Sequence, residues 1–204
     1  MIVLLPSDLV LLLLALQPAA GPDERALAER IRDGDRASFR VFFDLHHGRL
    51  YGFLRRRGVA PAVCDDLVQT AFVAVWERRA QIDPSRSLRA LLYRIAYTRA
   101  LNHFRDTSRL EPLGDLDDLT GAPGYDAAAP DRDTAAGLVE RQLHRAVAAL
   151  PERRRAVFEM CFLQELTYRE AAEVLGIEVK TVENQMGRAL KSIRASLSAL
   201  HTRG

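Results

Sequence analysis

Lys180, Asn184, Arg188 and Lys191 are the residues whose types and spacing promise recognition chemistry. They recur at intervals of three and four, so a helix would carry them on one face. Val182, Met186, Ala189, Leu190, Ile193 and Leu197 fall on the opposite face by the same period. Arg and Asn can make paired hydrogen bonds to guanine and adenine edges, while Lys meets phosphate as a point charge. A helix that is apolar behind and carries these groups in front can lie in a major groove. An amphipathic core helix with a solvated basic face would share the pattern, so the preceding residues carry weight. Thr167 can cap a short helix with Glu170 three residues on, the spacing of a capping box. Ala171, Ala172 and Leu175 follow at helical spacing, and Gly176 supplies the freedom for a sharp reversal. Ile177 and Val182 could plug the angle between the two helices. Leu166–Gln185 therefore reads as a helix-turn-helix, and this end of the chain is expected to bind duplex DNA.

A second stretch carries recognition chemistry of another kind. Leu88, Leu91, Leu92 and Ile95 make one apolar stripe of a helix, and Tyr93, Tyr97, Leu101 and Phe104 make a second. Arg94, Arg99 and Arg105 flank the second stripe. Aromatic rings interleaved with Arg suit unstacked bases and their phosphates. A helix buried on both sides in a compact bundle would look the same, and spacing does not separate the two readings.

Bond-making chemistry finds no support. His46, His47, His103, His144 and His201 are scattered, and none pairs with a nucleophile or carboxylate at a catalytic spacing. Cys64 and Cys161 lie in apolar helical contexts with no His or Cys at ligand spacing, so they read as buried free thiols in a reducing cytosol. Neither an enzyme, a metal site nor a cofactor is expected, and the expected location is cytoplasmic.

The positions of these residues require a helical scaffold. The chain has 204 residues, 48% of them hydrophobic, and a formal net charge of +2, which excludes an indiscriminate basic nucleic-acid coat. No period-2 runs of β-branched residues appear, so no sheet is expected. The fold class read from the sequence is all-α: two small helical domains joined by a flexible acidic linker, the C-terminal one bearing the helix-turn-helix. The first domain spans 23–108. Its helices begin at Asp23, at Asp35, at Pro61 (running to about Arg79) and near Ser87 (running to about Asp106). The linker spans 109–137, where Gly, Pro and seven acids outnumber Arg109 and Arg132. The second domain spans 138–204, with two helices before the helix-turn-helix. Residues 1–22 include the apolar run Leu9–Leu16, but no basic residue precedes Arg25. That run is too short to span a bilayer and lacks the charged start of a signal peptide. A loosely ordered or peripherally packed extension is expected there, with a docking helix and export or membrane attachment as the alternatives; stable membrane insertion is not expected.

Longer motifs then identify a family resemblance. Asp65–Phe72 continues into Val75–Arg78, followed by Leu92–Ala96 and Leu101–Arg105; these resemble conserved region 2 of bacterial RNA polymerase sigma factors. Leu150–Phe158, Leu166–Glu170 and Lys180–Lys191 resemble region 4. The match runs from about Asp23 to Leu200 in the family's order, and it is similar to the sigma-70 family's compact extracytoplasmic-function (ECF) group. The resemblance implies that Asp66, Gln69, Thr70, Val73 and Glu77 face the clamp helices of the polymerase β′ subunit. It implies that Tyr93, Arg94, Tyr97, Arg99, Phe104 and Arg105 hold the non-template strand of the −10 element. Lys180, Thr181, Asn184, Arg188 and Lys191 would read the −35 element, while earlier helices of region 4 meet the β flap. Thr70, Leu91, Tyr97-Thr98 and Asn102 depart from the residues the family often carries there. The implied partners are core RNA polymerase, promoter DNA and an anti-sigma factor. The alternative is a stand-alone helix-turn-helix transcriptional regulator, for which the region 2 motifs would have no use.

Overall fold

The computed structural model describes residues 23–110 and 135–201, with side chains over 23–107 and 141–198. The readings made above for 1–22 and for most of the linker lie outside the described residues. Short polar side chains fix where the helices begin. Asp23 accepts hydrogen bonds from the amides of Arg25 and Ala26 and starts α1 (Glu24–Arg32). Gly34 then takes φ +92°, a conformation that costs glycine nothing. Asp35 caps α2 (Arg36–Arg56) by accepting from the Ala37 amide at 2.9 Å and from the Ser38 hydroxyl at 2.7 Å. Pro61 opens α3 (Pro61–Glu77), where its missing N–H would have been unpaired in any case.

A 3-10 turn at Arg79–Gln81 and an Asp83–Ser85 turn lead into α4 (Leu88–Leu110). The second half of the chain holds α5 (Ala135–Ala148) and α6 (Glu152–Phe158), the latter running on into a π-helical turn, Glu159–Leu163. α7 (Tyr168–Leu175) and α8 (Val179–His201) complete it. The described residues contain no strand, so the all-α expectation holds. The helices flanking the acidic segment reach further than periodicity indicated, to Leu110 and from Ala135.

The first block packs α2 against α3 and α3 against α4. Phe42 is fully buried, with its ring 5.9 Å from Phe72, and Phe39 lies 4.9 Å from Trp76. Removing a ring such as Phe42 would cost about 3–5 kcal/mol by transfer and cavity terms together. In the second block Leu143, Val147, Val157 and Phe158 close over the inner side of α8. The apolar core is continuous between the blocks, because α4 packs directly on α7.

Candidate nucleic-acid interface

The helix-turn-helix is set by local chemistry. The Thr167 hydroxyl accepts from the Glu170 amide at 3.2 Å, and the Glu170 carboxylate accepts from the Thr167 amide at 2.7 Å. Two otherwise orphaned amides at the start of α7 are thereby satisfied. At its end Gly176 adopts φ +65°, and the amides of Gly176 and Ile177 both return to the Ala172 carbonyl. Val182 is fully buried in the angle between α7 and α8. Ile177 is 37% exposed, contrary to the expectation that it would share this role. The reversal at Gly176 carries it to the outside of the turn.

Along α8, Val182, Met186, Ala189, Ile193 and Leu197 are buried, and Leu190 is half-buried. Lys180, Asn184, Arg188 and Lys191 are all exposed on the other side, and Thr181 is half-buried. Lys180 pairs with Glu183 at 2.9 Å, an exposed contact of little energetic weight that leaves Lys180 available. On α3 the residues expected to face the polymerase stand away from the Leu67–Val75 core side. Asp66, Gln69 and Glu77 are exposed, Val73 is 45% exposed, and Thr70 is half-buried.

α4 divides the residues expected to meet the −10 strand. Arg94, Arg99 and Arg105 are exposed; Tyr97 and Phe104 are half-buried. The Tyr97 ring lies 6.5 Å from Phe53 and 5.1 Å from the Arg57 guanidinium. Tyr93 departs from the sequence expectation: it is fully buried, and its hydroxyl donates to Gln164 of the second block. Burial drives its phenol well above the usual range. The second stripe of α4 is thus core at Tyr93 and opens outward by Leu101, which is 50% exposed.

Between the blocks lies a seam of charge. Arg57 pairs with Glu152 and approaches Glu159 at 3.7 Å, while its guanidinium lies 4.5 Å from the Phe53 ring centre. Arg56 reaches Glu159 at 3.4 Å. Glu165 is held between Arg49 at 3.5 Å and Arg89 at 3.4 Å. Glu173 pairs with Arg86 and, at 3.2 Å, with Arg94. Burial pushes the Glu159 carboxyl up despite the pull of Arg57, Arg56 and Arg155. Burial also opposes ionisation of Glu152, yet Arg57 and Arg155 outweigh it and hold that carboxyl down. Nearby, burial, reinforced by Arg89 and Arg49, lowers the His46 imidazole to about 4, so it is neutral at physiological pH. Sequence reasoning did not bring these groups together. The available signal was a pair of opposite-sign spacings, Arg49 with Arg56 and Glu152 with Glu159, each seven residues apart and so on one helix face.

Among the described residues no cluster of His, Cys, Asp or Glu could hold a metal ion, and no helix is long and apolar enough to cross a membrane. Both cysteines are free thiols, Cys64 buried and Cys161 partly so.

Comparison with known proteins gives this geometry its context. The family model "Sigma-70 region 2" matches residues 42–110, and "Sigma-70, region 4" matches 140–193. RNA polymerase sigma factor CnrH of Cupriavidus metallidurans is 34% identical over 187 residues, covering 87% of this chain and 93% of that protein. ECF RNA polymerase sigma factor RpoE of Cereibacter sphaeroides is 30% identical over 177 residues, covering 85% and 94%. The solved structure of CnrH in complex with the cytosolic domain of CnrY aligns with a TM-score of 0.57 at 28% identity, covering 87% of this chain and 99% of that one. The fold is shared with a sigma factor RpoE from Bartonella quintana, solved with the anti-sigma factor NepR, at 17% identity and a TM-score of 0.57 over 78% and 96% of the two chains. With a capped helix-turn-helix behind a region 2 bundle, and such likeness along most of its length, the chain belongs to the ECF group of the sigma-70 family, the factors that bind core RNA polymerase and direct promoter-specific initiation of transcription.

Proposed function

We propose that α8 reads the −35 element through Lys180, Thr181, Asn184, Arg188 and Lys191, and that α4 holds the melted −10 strand through Arg94, Tyr97, Arg99, Phe104 and Arg105. The observation that carries this reading is the division of α8: its apolar side is buried against α5, α6 and α7, while four groups suited to base edges and phosphate stand together in solvent. Tyr93 joins the strand-binding set only when the second block no longer covers it. The outer side of α3, with Asp66, Gln69, Thr70, Val73 and Glu77, meets the β′ clamp helices, and helices of the second block meet the β flap.

In this reading residues 23–108 form the unit for polymerase and the −10 element, 138–204 form the −35 unit, and 109–137 join them. The chain makes and breaks no covalent bond itself. It acts in the cytoplasm, where polymerase is. An anti-sigma protein holds it inactive, as the family resemblance implies. Run-off transcription with purified core polymerase, followed by mapping of start sites, tests the reading. Specific starts that require this chain and share upstream elements support it; binding to duplex sites without any effect on polymerase start selection would refute it.

A further inference from the structure

α8 carries one acid among its 23 residues, Glu183, and places it beside the groups assigned to the −35 element. Its role rests on the proposal above that α8 enters the groove. The Glu183 side chain is 43% exposed, and its carboxylate lies 2.9 Å from Nζ of Lys180, itself 76% exposed. The fold gives little reason for an acid here. Glu183 stands past the first turn of α8, where the helix dipole no longer rewards a negative charge. Its pair with Lys180 is exposed, and Lys preceding Glu is the weaker of the two orders on a helix. Against DNA the charge is unfavourable in general, because it repels phosphate and offsets part of what Lys180, Arg188 and Lys191 gain there. A carboxylate on a groove-facing surface is favoured only opposite a base-edge donor.

The major groove presents two such donors, N4 of cytosine and N6 of adenine. Adenine N6 stands between N7 of its own ring and O4 of the paired thymine, and both of these acceptors repel a carboxylate. Cytosine N4 has an acceptor, O6 of the paired guanine, on one side only. The Lys180 ammonium is suited to that oxygen. Held 2.9 Å apart, the Glu183 carboxylate and the Lys180 ammonium therefore complement the donor and the acceptor of one cytosine–guanine pair.

Gly187 stands one turn further along the same edge, four residues after Glu183, and is exposed. Glycine inside a helix costs stability relative to alanine. A Cβ at Gly187 would meet nothing within 4 Å, so packing among the described residues does not demand the glycine. What the missing side chain provides is a bare stretch of helix backbone, which lets another surface come close. The acid and the bare backbone lie side by side on the edge of α8 that carries Lys180.

We propose that Glu183 is a specificity-determining residue of the −35 contact: its carboxylate accepts from N4 of a cytosine, Lys180 turns from Glu183 to O6 of the paired guanine, and Gly187 gives the duplex room to approach. The ion pair of the free chain is exchanged for a base pair. Selectivity rises while general affinity falls, because the same acid that accepts from cytosine repels phosphate.

The test uses holoenzyme assembled from the full chain and core polymerase, titrated onto fluorescent duplexes bearing a −35 element found by start-site mapping. Each base pair of the element is replaced in turn by the other three. Wild type should prefer cytosine at one position, on one strand or the other, by about fivefold or more. Glu183→Ala should remove that preference, leave the others in place, and bind a duplex lacking the element about twofold more tightly. Glu183→Gln should move the preference towards adenine, since an amide can accept from N6 while donating to N7. N4-methylcytosine at the same position puts a methyl group where the groove-facing hydrogen was. Wild type should lose about fivefold on it, whereas Glu183→Ala should not distinguish it from cytosine. A glutamate that merely restrained Lys180 would not register that methyl group. Gly187→Ala should melt no lower than wild type, because alanine favours the helix, yet should bind the element more weakly.

Absence of a cytosine preference in the wild type, or its persistence in Glu183→Ala, overturns the proposal. Full affinity in Gly187→Ala overturns the role given to the glycine. Should Glu183→Ala melt early, Glu183→Gln takes its place in both comparisons. Asn184→Ala and Arg188→Ala separate this role from the reading beneath it. If both leave promoter affinity unchanged, α8 does not read the −35 element at all. If both weaken it while Glu183→Ala keeps the cytosine preference, only the role of Glu183 falls.

Discussion

Arg188→Ala tests the role proposed for α8. Arg188 is exposed, between Gly187 and the buried Ala189, and on the side of α8 opposite Val182 and Met186. Truncation removes no core contact, and alanine is at least as good a helix former as arginine. The stability of the second block should therefore change by less than about 0.5 kcal/mol. Promoter binding should fall by about 1–3 kcal/mol if the guanidinium grips a base edge, which is roughly 5- to 150-fold. Arg188→Lys distinguishes the kind of contact. Lysine keeps the charge but loses the planar fork, so a base-reading role predicts that most of the affinity is lost with the salt dependence intact. A phosphate role predicts near-normal affinity for Arg188→Lys, and a salt slope about one unit shallower for Arg188→Ala. Holoenzyme would be titrated onto a fluorescent duplex bearing the −35 element, with anisotropy followed at several salt concentrations and thermal melts run in parallel. Unchanged promoter affinity with weakened core binding would refute the assignment of α8.

Asp66→Ala with Gln69→Ala should impair binding to core polymerase without shifting the melting curve, since both side chains stand clear of the α3 core side; normal core affinity in a titration would reject that surface. Thr167→Ala should remove one half of the capping box and destabilise the second block by about 1 kcal/mol, with Thr167→Ser restoring it, as read by thermal melting. The neutral His46 makes stability depend on pH. Unfolding raises its affinity for a proton from about 4 to the ordinary 6.5, so its contribution is complete above pH 6.5 and is lost as pH falls towards 4. The loss should amount to at most about 3 kcal/mol, and His46→Gln should flatten this part of the profile in denaturant titrations at pH 7 and pH 5.

Local signals were legible in the sequence because they act over three or four residues. Asp23, Asp35, the Thr167–Glu170 pair and Gly176 mark helix ends where the structure has them. The two faces of α8 follow from period alone. The seam between the blocks was not legible, since Arg49 and Glu165 are 116 positions apart and Tyr93 and Gln164 are 71 apart. No periodicity records such pairings. Tyr93 illustrates the limit: an aromatic beside Arg94 has the same spacing whether it faces a base or a glutamine. The π-helical turn Glu159–Leu163 also escaped notice, because nothing in its composition differs from an ordinary helical turn.

The reversal between α7 and α8 depends on only a few neighbouring residues: the reciprocal Thr167–Glu170 bonds, the left-handed Gly176 and the buried Val182. The angle between α7 and α8 is therefore set within a short cassette. A sister factor given residues 166–191 of this chain would be expected to acquire its −35 preference along with its reading angle. Promoter choice could then be exchanged among relatives by recombination within a stretch of about eighty nucleotides of coding sequence.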